Sequence, residues 1–225
     1  MTDKTHKYNI SVICPTRKRV AGCINSCDTL LKQAAYPDKI EILLMFDDDD
    51  LDSYEKIKQY YKDKENVKTF VSERYGYTNL YKYYNFLAEK AEGVWLFIWN
   101  DDASIGVSEW DLIPISYGDQ FKVISCAQDR PRTCLFPILP KKWIELTGRL
   151  SNNCSTDTWI EEVALGSGVY VQDTRLHIHH LRGTPQFNDE TYRERAYDSN
   201  RFYSPQQTQE REEDIKNIKK YLEGN

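Results

Sequence analysis

Apolar positions along this chain gather in short runs separated by longer polar stretches. "YNISVIC" (8–14), "IEILLMF" (40–46), "VKTFV" (67–71) and "VWLFIW" (94–99) are too short for typical helices and rich in branched and aromatic residues, the pattern of buried strands. The stretches near 20–35, 53–62 and 78–91 read as helices. Strand and helix alternate, which predicts βαβ units and an α/β fold with a mostly parallel sheet flanked by helices. Further short strands are expected near 122–126, 134–138 and 169–180, divided by helices around 140–147 and 156–165, so the second half of the sheet should be mixed. From about Asn188 the composition turns polar and charged. Ile215, Ile218 and Leu222 then recur at helical spacing, predicting a C-terminal helix that packs one apolar face.

Three of the strand runs end in polar residues: Pro15-Thr16-Arg17 after the first, Asp47 to Asp50 after the second, Asn100-Asp101-Asp102 after the fourth. In open α/β sheets ligands collect outside the carboxyl ends of the strands, so these ends point to one crevice. The "CPTRKR" loop (14–19) has no glycine and is neither a dinucleotide fingerprint nor a Walker loop. Its Thr16 and Arg17 offer a hydroxyl and a fork of donors to a nucleotide base or ribose, with Pro15 stiffening the exit. In "MFDDDDLDSYEK" the alternating Asp48, Asp50 and Asp52 suggest a calcium loop, but Ser53 stands where glycine is needed and Gln59 where the bidentate glutamate belongs. Asp47 or Asp48 reads better as a nucleoside contact at the end of the strand.

Composition narrows the class. The formal charge of −5 over 225 residues argues against a general nucleic-acid binder, which would want a basic excess. The start, "MTDKTHKYN", offers no apolar h-region, and no apolar stretch approaches a membrane span, so a cytoplasmic protein without a transmembrane segment is expected. The six cysteines then read as reduced thiols, and Cys23 and Cys27 have no second pair at zinc-site spacing.

The remaining chemistry lies in acids and histidines. Adjacent Asp101 and Asp102 at a strand mouth suit a divalent cation held by oxygen ligands, although an Asx turn ending the strand would look alike. "LHIHHLRG" (176–183) holds three of the four histidines; strand alternation puts His177 and His179 on one face and His180 on the other. Such density suggests a ligand or a proton carrier. In "NNCSTDTWIEEVA", Asp157 falls at a helix start capped by Ser155 or Thr156, with Glu161 and Glu162 one turn on. Trp143, Trp159 and Tyr170 are candidates to stack on sugar faces, though Trp143 and Trp159 fit core positions equally well.

Together these residues resemble the nucleotide-sugar glycosyltransferases of the GT-A fold, in a family-two-like form, over about residues 8–183. Asn100-Asp101-Asp102 matches the DXD position with Asn for the first acid, Asp157 matches the acid of the E-D motif with Thr156 for the usual Glu, and Asn85 matches a helix Asn ahead of the metal strand. The resemblance implies a GT-A domain over 1–187, divided into a nucleotide-binding half (1–103) and an acceptor half (104–187), with a charged helical extension over 188–225. It implies transfer from a UDP- or GDP-sugar to a glycan or other hydroxyl acceptor, with inversion. Pro15, Thr16, Arg17, Asp47, Asp48, Asn85, Asn100 and Asp101 would then serve the donor, Asp102 with His179 or His177 would hold Mn2+ or Mg2+, and Asp157 would act as general base. Competing expectations are a nucleotidyltransferase making an NDP-sugar, which should carry a glycine-rich basic loop after the first strand, and an inactive nucleotide- or carbohydrate-binding module.

Overall fold

The structure is a computed structural model and describes residues 6–128, 134–181 and 199–224. The expected boundary between the domain and its C-terminal extension, near residue 187, lies outside the described residues, as do Arg182 and Gly183 of the histidine-rich stretch. Four strands, β1 (Tyr8–Pro15), β2 (Ile40–Asp47), β3 (Val67–Ser72) and β4 (Gly93–Ile98), pair in parallel in the order β3-β2-β1-β4. Between them run α1 (Val20–Lys32), α2 (Leu51–Tyr60) and α3 (Leu80–Lys90). Every residue of β2 is buried, Glu41 and Asp47 included, as in a strand covered on both faces.

The sheet continues without a break into the second half of the chain. β5 (Ala103–Ile105) follows β4 after a turn, and after α4 (Leu112–Ile115) come β6 (Val123–Gln128), β7 (Ile138–Pro140) and β8 (Tyr170–His180). β7 pairs antiparallel with β4 and with β6, β8 runs parallel to β6, and β5 lies antiparallel to β8 at the rim. The full order is β3-β2-β1-β4-β7-β6-β8-β5, a mixed, mostly parallel eight-stranded sheet with helices on both faces. β7 begins four residues later than the sequence pattern suggests, because Phe136 turns into the core before the pairing starts. β5 has no counterpart in the sequence reading; three residues are too few to leave a periodic signal.

α5 (Lys142–Thr147) and α6 (Thr156–Ser167) cover one face together with α3. Trp143 and Trp159 are fully buried there, so both belong to the core and neither presents a ring to a sugar. After α7 (Ser199–Phe202), α8 (Pro205–Glu223) packs on α5 and α6. Its buried residues are Gln207, Arg211, Asp214 and Ile218, while Leu222 is 38% exposed. The expected stripe of Ile215, Ile218 and Leu222 is therefore only half right. Polar partners on α6 and the loop before it draw a polar face inward, and Ile215 closes against the bare Cα of Gly166, where an added Cβ would fall 2.5 Å from Ile215 Cδ1.

At the amino end of the strands, away from the acids, a second polar cluster is buried. Glu41 is fully inaccessible and accepts from Ser11 Oγ at 2.6 Å, Lys68 Nζ at 2.9 Å and the Glu92 amide. The Gly93 amide donates to Ser11 Oγ at 2.8 Å. Gly93 admits no side chain, since a Cβ would lie 2.6 Å from Ser11 Oγ and 2.7 Å from Ser11 N.

Candidate active site

The carboxyl ends of β1, β2, β4 and β8 share one edge of the sheet. β1 exits through Thr16, Arg17, Lys18 and Arg19 into α1. Lys18 takes a left-handed backbone (φ 54°), rare for a residue with a Cβ, and its amide is held at 2.6 Å by Asp50 Oδ2. Asp50 also accepts from Ser53 Oγ at 2.8 Å in the first turn of α2, so it belongs to the loop framework. With Lys18 turned out of the extended path, the flanking Arg17 and Arg19 diverge toward different acids.

Arg17 faces β2. Its Nη1 lies 3.1 Å from Asp47 Oδ2, and its fork also grips Asp49, with Nη2 3.0 Å from Asp49 Oδ2. Tyr83 of α3 accepts the Tyr75 amide and donates to Asp47 Oδ1. Burial lifts the Asp47 carboxyl above its usual range, against the pull of Tyr83 and Arg17. Asp47 is thus fixed and buried at a strand end. Asp48 is solvent-exposed, its amide bonded to the Ser72 carbonyl. Of the two acids left open by the sequence, Asp47 joins the cluster, and Asp49, which the sequence reading passed over, completes it.

Arg19 faces β4. Its Nη1 donates to Asp101 Oδ1 at 2.8 Å and stands 4.0 Å from Asp102 Oδ2, while Thr16 Oγ1 donates to Asp101 Oδ2 at 2.7 Å. Both oxygens of Asp101 are therefore occupied by the chain itself. Burial raises its carboxyl to about 6, with Arg19 pulling down and Asp102 pushing up. Asn100 has a structural place: its Oδ1 is 2.8 Å from the Tyr84 hydroxyl and its carbonyl accepts from Ser26 Oγ at 3.2 Å. Pro15 ends β1 paired with Met45.

His180 is the histidine that meets these acids. Its Nε2 lies 3.1 Å from Asp102 Oδ1, and the Phe136 ring meets it edge-on at 5.1 Å. His177 and His179 project from the opposite face of β8, their rings 4.8 Å apart, with His179 exposed beside Gly106. The expectation that His179 or His177 accompanies Asp102 is corrected by strand parity and register: Ala103 pairs with His180, which brings the even-numbered face of β8 over the Asn-Asp-Asp turn.

Carboxylate oxygen and imidazole nitrogen are donors that Mn2+ accepts, and Mg2+ takes the carboxylate. Among the described residues no group of three or more His, Cys, Asp or Glu is arranged to hold an ion. Asp102 and His180 supply two donors at the crevice. They would hold an ion only together with oxygens from a bound ligand or water.

Asp157 occupies the first turn of α6, half-buried, and its Oδ1 accepts from the Thr158 amide at 2.8 Å. Burial pushes the Tyr84 phenol well above its ordinary range, and the charges of Cys14, Asp157, Tyr77 and Asp101 add to that rise. Asn85 bonds backbone with both atoms of its amide. Its Oδ1 accepts the Leu150 and Ser151 amides at 2.9 and 3.3 Å and its Nδ2 donates to Ser151 O at 2.9 Å, which fastens α3 to the loop before α6. On the same helix as Asp157, Glu161 has its carboxyl raised mainly by burial.

No family model matches the sequence, and neither does any curated protein. Solved structures do match in three dimensions. The mannosyltransferase PcManGT from Pyrobaculum calidifontis, in complex with GDP-Man and Mn2+, superposes with a TM-score of 0.62 at 14% identity, over 80% of this chain and 60% of that one. TarS 1-349 from S. aureus, in complex with UDP-GlcNAc, gives 0.62 at 15% identity, over 80% and 61%. The fold is that of the GT-A glycosyltransferases. The same TarS fragment bound to UDP gives 0.61 at 15% identity, over 76% and 60%. This chain thus spans about 60% of the length of these GT-A proteins. No described helix is long and apolar enough to cross a membrane.

Proposed function

We propose that this GT-A chain is a glycosyltransferase that moves a sugar from a UDP- or GDP-sugar to an acceptor hydroxyl with inversion. The observation that carries the reading is the pairing, at one sheet edge, of a fixed nucleoside-side cluster (Arg17, Asp47, Asp49, Tyr83) with a second cluster of Thr16, Arg19, Asp101, Asp102 and His180. Arg17 and Asp47 orient the nucleoside. Asp101, saturated by Thr16 and Arg19, supports the turn that presents Asp102. Asp102 and His180 would hold Mn2+ or Mg2+, whose chemistry is to neutralise pyrophosphate charge as the leaving group departs. Asp157 accepts the proton of the acceptor hydroxyl while that oxygen bonds to the anomeric carbon and the bond from that carbon to the phosphate oxygen breaks, releasing the nucleoside diphosphate. The acceptor attacks from the face opposite the diphosphate, hence inversion.

The test is a panel of NDP-sugars incubated with Mn2+ or Mg2+, read as nucleotide release with and without candidate acceptors. Release from one donor is expected, with Asp102→Ala losing the metal-dependent part of diphosphate binding while unfolding at the wild-type temperature. Equal UDP and GDP affinity with and without metal in the wild type would remove the metal from the mechanism. Silence across the whole panel, together with no diphosphate binding, would defeat the reading itself.

Arg17→Ala gives a separate check on the nucleoside cluster. It removes charged hydrogen bonds that hold Asp47 and Asp49, and diphosphate binding by calorimetry should weaken by about 1–3 kcal/mol. Unchanged affinity would assign these ion pairs to loop packing alone.

A further inference from the structure

α8 is charged along most of its length, and the face it buries is polar over its first half before Ile215 and Ile218 take over. Gln207 is 3% exposed, Arg211 5% and Asp214 2%, and each is directed at one target: α6 and the loop that leads into it. Gln207 Nε2 donates to Asn152 O at 2.7 Å and its Oε1 accepts from Asn153 Nδ2 at 2.9 Å. Glu210 accepts from Asn152 Nδ2 at 2.8 Å. One turn on, Arg211 Nε pairs with Glu162 at 2.9 Å and its guanidinium stacks 4.2 Å from the Phe202 ring. Asp214 accepts from Trp159 Nε1 at 3.1 Å and from Arg149 Nη2 at 3.2 Å.

For stability alone this is a costly way to dock a surface helix, because apolar residues would cover the same area without desolvating charge. What directional bonds add is position. The bonds run toward Asp157. Asn153, held by Gln207, accepts the Ser155 amide on its Oδ1 at 3.0 Å and offers its carbonyl to Ser151 Oγ and Thr156 Oγ1. Ser155 is the N-cap of α6, and Asp157 sits two residues beyond it. From the other side Asn85 of α3 fixes the amides of Leu150 and Ser151. The loop before the proposed base is therefore gripped twice, once from the nucleotide side of the sheet and once from the end of the chain.

We propose that α8 is a clamp on the start of α6, with Gln207 a positioning residue that sets Asp157 for proton transfer; this rests on the glycosyltransferase reading for what Asp157 does. General-base catalysis demands geometry within a fraction of an ångström, and a misplacement of about 1 Å can cost about 100-fold in rate. Donor binding depends on the ends of β1, β2, β4 and β8, none of which Gln207 bonds, and should not feel the clamp.

The experiment uses the full chain carrying Gln207→Leu, which keeps volume and removes both bonds. Three readings are taken: UDP and GDP affinity, kcat and KM for acceptor at saturating donor, and amide hydrogen exchange over 151–160. The clamp predicts unchanged diphosphate affinity, a fall of about 10- to 100-fold carried by kcat, and faster exchange at the start of α6. Wild-type kcat, or exchange at 151–160 no faster than in the wild type, overturns it. If Gln207→Leu does not fold, Gln207→Glu, which keeps the bond accepted from Asn153, is measured in its place, and the same changes in kcat and exchange decide for or against the clamp. Exchange reads the clamp without any turnover, so a wild type that transfers nothing while its α6 responds to Gln207→Leu would fault the catalytic reading and leave the clamp standing.

Discussion

Asp157→Asn is expected to bind the nucleotide-sugar as the wild type does and to transfer almost nothing. Asparagine keeps the size of the side chain and can still accept from the Thr158 amide that Asp157 now engages, so the first turn of α6 should hold. It cannot take a proton. Loss of a general base costs about 10²- to 10⁴-fold, and the loss should lie in kcat because the donor's diphosphate is held at the strand ends, by other residues. Rates of transfer and donor affinity measured side by side decide the matter. Near wild-type transfer would move the base elsewhere, with Glu161, raised by burial on the same helix, next to be tested; loss of donor binding would make Asp157 a donor ligand instead.

The second large effect lies at the far end of the sheet and concerns stability. Glu41→Ala strips the acceptor from Ser11, Lys68 and the Glu92 amide at a point where Glu41 has no access to water. Breaking a buried ion pair from one side costs about 3–5 kcal/mol, and because Lys68 is 27% exposed and can turn to solvent, the lower end applies, about 3 kcal/mol. For a chain of this size that is a fall in Tm of roughly 6–12 °C. Urea unfolding should show the loss, and diphosphate affinity below the transition should stay where it was. A variant as stable as the wild type would mean that the cluster is balanced by its own desolvation, and one with lost affinity would tie the two ends of the sheet together.

The contrast between these two ends explains what could be read in advance. β1, β2 and β4 are mostly apolar runs whose burial on both faces leaves a strong signal, and the polar residues that end them bond one another across neighbouring strands. Thr16 bonds Asp101 and Arg17 bonds Asp47, each across neighbouring strand ends. The misses share another cause, which is that they depend on tertiary register. The parity of "LHIHHL" separates His180 from its neighbours, but only the pairing of Ala103 with His180 shows which face overlooks Asp102. Arg19 is two residues from Arg17 on the same loop, and nothing local says that a left-handed Lys18 sends the two to different acids. Asn85 reads as a donor contact through its match to the helix Asn of the resembled family; its side-chain amide binds backbone 65 and 66 residues away in sequence. The inward face of α8 was hidden most deeply, since Gln207, Arg211 and Asp214 read as solvated positions until partners on α6 claim them.

The strand order leaves two rims, β3 and β5, and rims are where one folded chain can add to another. β5 offers three residues, too little backbone to template a neighbour. β3 is six residues long, and its Lys68 reaches back over the sheet to Glu41 and Glu92, setting a charge where an incoming strand would have to lay its side chains. The lysine that pairs with Glu41 at the amino end of the sheet therefore also sets a charge on its open side.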